Sequence, residues 1–274
     1  MKKHFASIIL VSIFFVGLSV LLYPALSNYW NSKTQSRAIV NYEDILADLK
    51  PEDFSALFAQ ANDYNAKIRR NQFPLVNPDR LDEYNRLLNV AGNGMMGYIS
   101  IEKIKVELPI YHNVSDAVLN VATGHFDWSS LPVGGPGTHS VITAHRGLPS
   151  ASLFTKLDKL EVGDTFTLTV LNKVLTYEVD QILIVEPDEL NDLFIAEGKD
   201  FCTLLTCTPY GINTQRLLVR GTRIEGDQAK PALYLPADAY RIDPLIVTPM
   251  IAAPMLLVLL VILLVKYRTK KDEV

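Results

Sequence analysis

Cysteine is scarce in this chain, and charge is absent from two long stretches of it. The 274 residues hold two cysteines, two tryptophans and five histidines. So few cysteines exclude a small scaffold stapled by disulfides. No internal repeat or low-complexity tract is present, and 49% of the residues are apolar, which excludes a solenoid, collagen or a disordered chain. Charge is missing from residues 5–32 and from residues 244–265. The segment between these runs has an ordinary globular composition.

Each uncharged run contains the roughly 20 apolar residues that a membrane-spanning helix needs. Pro249 and Pro254 predict a kink near the start of the second span. Lys2 and Lys3 precede the first run, and Lys266, Arg268, Lys270 and Lys271 follow the second. Cations gather on the cytoplasmic side, so both termini are expected there and residues 28–243 on the outer face. A competing reading makes residues 1–27 a cleaved secretory signal, with Ala25-Leu26-Ser27 as small residues before the cut. Either way the central segment is exported, on one anchor or two. Because most terminal charges are basic, that segment is more acidic than the whole-chain charge of −4. This argues against a nucleic-acid binder.

Within the exported part, residues 42–70 carry apolar side chains at helical spacing, broken by Pro51, and residues 79–90 repeat the pattern. From Met96 the period falls to two, and residues 165–170, 174–184 and 217–221 read as further strands. Short strands between Pro and Gly turns suit a closed barrel or a sandwich better than βαβ units. The prolines at 231, 236 and 244 mark a linker back to the membrane. The expected organisation is an N-terminal anchor or signal (1–27), a helical lead-in with a lid-like segment (28–93) and a β-rich domain (94–226). A linker (227–243), a C-terminal membrane helix (244–266) and a cytoplasmic tail (267–274) follow.

Cys202 and Cys207 share one strand-like run, Phe201-Cys202-Thr203-Leu204-Leu205-Thr206-Cys207. Residues five apart on a strand face opposite ways and lie about 16 Å apart, too far for a disulfide. Both thiols are expected to be free, Cys202 packed in the core and Cys207 exposed at a strand end. Cys207 is therefore the candidate nucleophile, which needs a proton acceptor and a donor for the developing oxyanion. His145 follows the apolar strand residues 140–144. Arg216 opens the next strand and returns to Cys207 if the two strands form a hairpin; its guanidinium stays charged. His112, His125 and His139 remain competing bases on periodicity alone, and no carboxylate has a spacing that marks it as a third member.

The segment Thr203-Leu204-Leu205-Thr206-Cys207, with Arg216 nine residues after the cysteine, resembles the signature of the sortases, in particular the class C branch that assembles pili. Supporting matches are Met96-Gly97-Tyr98-Ile99, Leu108-Pro109-Ile110-Tyr111-His112, Gly124-His125, Ser130-Leu131-Pro132-Val133-Gly134-Gly135, Thr138-His139-Ser140-Val141 and Ala144-His145-Arg146-Gly147-Leu148-Pro149. They run in order from about residue 94 to 223.

The resemblance implies a mainly β fold, the eight-stranded sortase β-barrel, with an N-terminal helical region and flanking transmembrane helices, on a Gram-positive cell surface. It implies Cys207, His145 and Arg216 as the catalytic set. The implied reaction cleaves an LPxTG-like sorting signal between Thr and Gly and joins it to a lysine amine of another pilin subunit. Pilins and the cell membrane are then the partners, no metal or organic cofactor is needed, and a monomer is the default. Attachment of surface proteins to peptidoglycan cross-bridges is the alternative reaction, and a non-catalytic membrane scaffold the alternative of another class. A papain-like protease is disfavoured because His145 precedes Cys207. One departure stands out. Class C enzymes usually carry an Asp-Pro-aromatic lid motif, whereas this chain reads Asn77-Pro78-Asp79, so a lid is expected to be absent or weakly held.

Overall fold

The computed structural model describes residues 5–70, 78–224, 252–258 and 260–262. The chain divides into two compact units, Met1–Asn31 with Leu235–Val274, and Ser32–Tyr234.

Helix α1 (Phe5–Ala47) runs unbroken across residues 27 and 28, with Pro24 inside it. No glycine or proline follows until Pro51, so nothing local ends the helix sooner. Among the described residues α1 is the one helix long and apolar enough to cross a membrane. The helix Ala252–Ile262 is shorter than a bilayer requires. The rest of the expected second span lies outside the described residues, as do residues 227–243 and 267–274. The described residues therefore support one crossing, not the two read from the sequence.

Helix α2 (Pro51–Arg70) has the polarity that the helix dipole favours, with Glu52 and Asp53 in its first turn and Lys67, Arg69 and Arg70 in its last. Pro51 suits the first turn, where its missing N–H leaves no bond unmade. The Asp53 carboxylate accepts from the Lys50 backbone N–H at 2.9 Å. Phe58, Ala61, Tyr64, Asn65 and Ile68 form its buried stripe, at the spacing of one helical face. Helix α3 (Pro78–Arg86) follows. Asn77 of the expected lid segment lies outside the described residues, and Pro78 and Asp79 are described only as the start of α3.

Eight strands close into a barrel: β1 (Met95–Ile101), β2 (Val106–His112), β3 (Thr123–His125), β4 (Thr138–Thr143), β5 (Thr165–Val170), β6 (Lys173–Val185), β7 (Asp200–Thr208) and β8 (Gln215–Arg223). Their order around the barrel is β1-β2-β3-β4-β7-β8-β6-β5. β2 pairs parallel with β3, and β4 parallel with β7; the other neighbours are antiparallel. The period of two has its expected cause. Phe166, Leu168 and Val170 of β5 are buried and alternate with more exposed threonines. Gly221 of β8 is required by packing, since a Cβ there would lie 2.7 Å from the Phe166 ring. A short helix α4 (Asp116–Leu119) links β2 to β3.

The later part of α1 is tied to the barrel. Tyr42 is fully buried, donates to the Met96 carbonyl at 2.8 Å and accepts from the Leu171 N–H at 2.9 Å. Burial pushes its phenol well above the usual tyrosine range.

Candidate active site

The site is set by strand register. β7 and β8 form the antiparallel pair expected of a hairpin, and Cys207 is the direct cross-strand partner of Arg216. On its other side β7 runs parallel to β4, with Thr143 opposite Leu205 as the last pair. His145 and Cys207 each lie two residues beyond that pair, His145 just past the end of β4 and Cys207 still within β7 and paired with β8, so both lie toward one rim. Neighbouring strands are about 4.8 Å apart, and three strands thus bring His145, Cys207 and Arg216 to adjoining positions. Past the last ladder pair, one backbone bond and two side-chain bonds continue the stitching. The Thr143 hydroxyl donates to the Leu205 carbonyl at 3.0 Å, the Ala144 N–H donates to the same carbonyl at 3.3 Å, and the Thr206 hydroxyl donates to the Ala144 carbonyl at 2.8 Å.

The two thiols are free and differ as their faces differ. Cys202 is buried, Cys207 half-buried. Burial pushes the Cys202 thiol well up, and the nearby Asp200 adds to this. A thiol so held stays protonated and unreactive.

The histidines divide just as sharply. His125 is fully buried, with Nε2 2.8 Å from the Ser130 carbonyl and Nδ1 3.0 Å from the Tyr84 hydroxyl. Burial lowers its pKa to about 3. His139 places Nδ1 2.9 Å from the Phe194 carbonyl and Nε2 2.7 Å from the Thr203 hydroxyl, and burial lowers its pKa to about 4. His112 has Nδ1 2.9 Å from the Gly94 carbonyl, and burial lowers its pKa as well. These three rings are neutral and enclosed by the fold. Among the described histidines His145 alone is not buried, and it is the one beside Cys207.

Arg216 is partly exposed and directs Nη1 to the carbonyls of Asn213 at 3.3 Å and Gln215 at 3.1 Å. Those bonds shape the turn between β7 and β8 and occupy Nη1, one of the three guanidinium nitrogens. The rim is bordered by Tyr210 and Ile212, 59% and 67% exposed. Among the described residues no group of three or more His, Cys, Asp or Glu is placed to hold a metal ion.

The model of the sortase domain matches residues 99–224 of this chain. The crystal structure of sortase C1 from Streptococcus agalactiae is 48% identical, with a TM-score of 0.67 over 70% of this chain and 100% of that one. The chain belongs to the sortase family. Sortase C from Clostridium perfringens, solved with the C-terminal cell wall sorting motif, is 41% identical with a TM-score of 0.60, covering 69% of this chain and 99% of that one. Sortase D of Bacillus subtilis is 28% identical over 47% of this chain, and the match spans 63% of that curated relative. The pilus-type sortases C are thus the structural neighbours, and the eight-stranded barrel is the sortase barrel.

The rim of this sortase also holds a group that sequence reading passed over. Arg146, quoted above only within a matching motif, has a side chain 8% exposed and pairs through Nη2 with Asp158 at 2.8 Å. Its Nη1 donates to the Thr208 hydroxyl at 3.1 Å. The sequence signal was an arginine directly after the candidate base. It was uninterpretable without the partner strand, which lies about sixty positions away.

Proposed function

We propose that this sortase is a cysteine transpeptidase that polymerises pilins. The observation that carries the reading is the register that makes His145, Cys207 and Arg216 neighbours across β4, β7 and β8. Cys207 gives its thiol proton to His145, and Sγ attacks the carbonyl carbon of Thr in an LPxTG-like signal. The resulting oxyanion is held by the Arg216 guanidinium, a fixed positive charge at a site partly shielded from water. The Thr–Gly C–N bond breaks as His145 gives a proton to the leaving glycine amine, and a thioacyl enzyme remains. A pilin lysine amine, losing its proton to His145, then attacks that carbonyl; the C–S bond breaks and an isopeptide bond forms. No step calls for a metal or organic cofactor.

The likeness to sortases C, one of them solved with a sorting motif, supports the substrate class. The site resides on the outer face, anchored by α1, the helix long and apolar enough to cross a membrane.

The test is a transfer assay on the full chain in detergent micelles. The assay offers an LPxTG peptide together with either a lysine-bearing pilin domain or an oligoglycine amine. Cys207-dependent isopeptide product on the pilin lysine, in excess over glycine product, supports the reading. Preference for oligoglycine overturns the pilin assignment, and no Cys207-dependent product with either amine overturns transpeptidation.

A further inference from the structure

Beyond residue 205 no backbone ladder holds β4 to β7, although the two groups read as base and nucleophile both lie beyond it. The stitching that continues is made by side chains, and its outermost member is the Arg146 bond to Thr208. Arg146 follows His145 and Thr208 follows Cys207, so this one bond joins the two chains immediately outside the reacting pair. The arginine is held from its other side by Asp158, on the short 3-10 turn Leu157–Lys159. That loop is itself fastened to the His145 segment, since Phe154 N–H donates to the His145 carbonyl at 3.2 Å and Gly147 N–H to the Thr155 hydroxyl at 3.2 Å. The Arg146 Nε makes no hydrogen bond, so the placement of the guanidinium rests on its two Nη contacts. Its carbon lies 6.0 Å from the centre of the Tyr210 ring, at the outer limit of a cation–π contact.

We propose that Arg146 is a positioning residue for the transpeptidase reaction: braced by Asp158, it fixes the separation of His145 and Cys207 through Thr208. The inference rests on the assignment of Cys207 and His145 given above. An ion pair between a buried arginine and an exposed aspartate is weak evidence of stabilisation, because desolvation of the one and solvent screening of the other offset its attraction. Its value here is geometric. Proton transfer between two side chains on separate strands is sensitive to displacement, and about 1 Å can cost roughly a hundredfold in rate.

The test uses the full chain in micelles and measures kcat and KM for LPxTG-peptide turnover, with thermal midpoints alongside. Thr208→Val keeps the shape but removes the hydroxyl; Thr208→Ser keeps the hydroxyl and removes the methyl. Arg146→Lys keeps the charge facing Asp158 but loses the fork. Thr208→Val and Arg146→Lys are expected to lower kcat by about tenfold or more with KM within about twofold, since binding is untouched while alignment is lost. Thr208→Ser is expected to stay within about twofold of wild type, and the Arg146→Lys/Thr208→Val double variant to fall no further than the worse single one, as expected of residues acting through one bond. Wild-type kcat in Thr208→Val, or equal losses in Thr208→Ser and Thr208→Val that track a lowered thermal midpoint, would overturn the inference alone. Wild-type protein without Cys207-dependent turnover would overturn the transpeptidase reading, and this inference with it.

Discussion

The buried parts of the barrel wall and its rim use the same residue types to opposite ends. Away from the rim, the buried His125 and His139 and the half-buried Asp200 each have committed partners; Asp200 accepts from the Gly135 N–H at 2.7 Å and the Tyr177 hydroxyl at 3.0 Å. At the rim, Cys207 and the His145 ring engage in no side-chain hydrogen bond among the described residues, and Arg216 engages only loop carbonyls. A buried polar group must be satisfied by the fold, because an unmet bond costs about 1–3 kcal/mol. A group meant for a substrate must keep its bonding capacity until the substrate arrives. The location of a cysteine or histidine along its strand therefore decides which of the two it does.

The widest separation is expected between the cysteines. Cys207→Ala should reduce transpeptidation by at least about a thousandfold with an unchanged thermal midpoint. Cys202→Ala should leave kcat unchanged and destabilise the fold by about 1–2 kcal/mol through the small cavity it opens. Parallel kinetics and melts of the two variants check this, and any comparable activity loss in both would dissolve the distinction.

The histidines should divide in the same way, with a smaller effect. His145→Gln should cost about a hundredfold to ten-thousandfold in kcat, whereas His139→Gln should cost about 1–3 kcal/mol in stability and little in rate. Urea titration beside the turnover assay separates these losses.

The buried histidines also predict a pH dependence. Their pKa falls from 6.5 in the unfolded chain to about 3 for His125 and about 4 for His139. The unfolded chain therefore binds more protons at mildly acid pH. The stability that comes from keeping these rings neutral is complete above about pH 6.5 and is lost as pH falls toward 4, at up to about 1.4 kcal/mol per pH unit for each ring. Melts between pH 8 and 4 should show this decline, shallower in His139→Gln; an unchanged slope in that variant would contradict the assignment.

The smallest effect is expected on the outer wall, where Arg220 pairs with Asp180 at 3.0 Å in a largely solvated setting. Asp180→Asn should change stability by less than about 1 kcal/mol and leave turnover alone, as a melt and one rate measurement will show.

Much of this comparison was legible in the sequence. The alternation of residues 165–170 and 174–184 specified strands, and the five-residue spacing of the cysteines specified opposite faces. The return of Arg216 to Cys207 followed from a hairpin, a local pairing that sequence can suggest. The choice among the histidines did not follow, because it depends on the parallel pairing of β4 with β7, and strands joined across some sixty residues leave no periodic mark on either. The Arg146–Thr208 bond stayed hidden for the same reason. The unbroken course of α1 was obscured by composition, since the small residues Ala25-Leu26-Ser27 at the end of the apolar run read as a boundary at 27 although no residue there ends a helix. Resemblance supplied the rest, ordering the motifs into one barrel before any pairing was known.

The proposed reaction stands or falls with Cys207 as the acyl-accepting thiol of this rim. Intact mass spectrometry of the full chain in micelles, incubated with an LPxTG peptide and no acceptor amine, tests it most directly. An added mass equal to the peptide cleaved after Thr is expected in wild type and in Cys202→Ala and not in Cys207→Ala. An adduct that persists in Cys207→Ala, or a folded wild type that forms none across a range of sorting peptides, would contradict it.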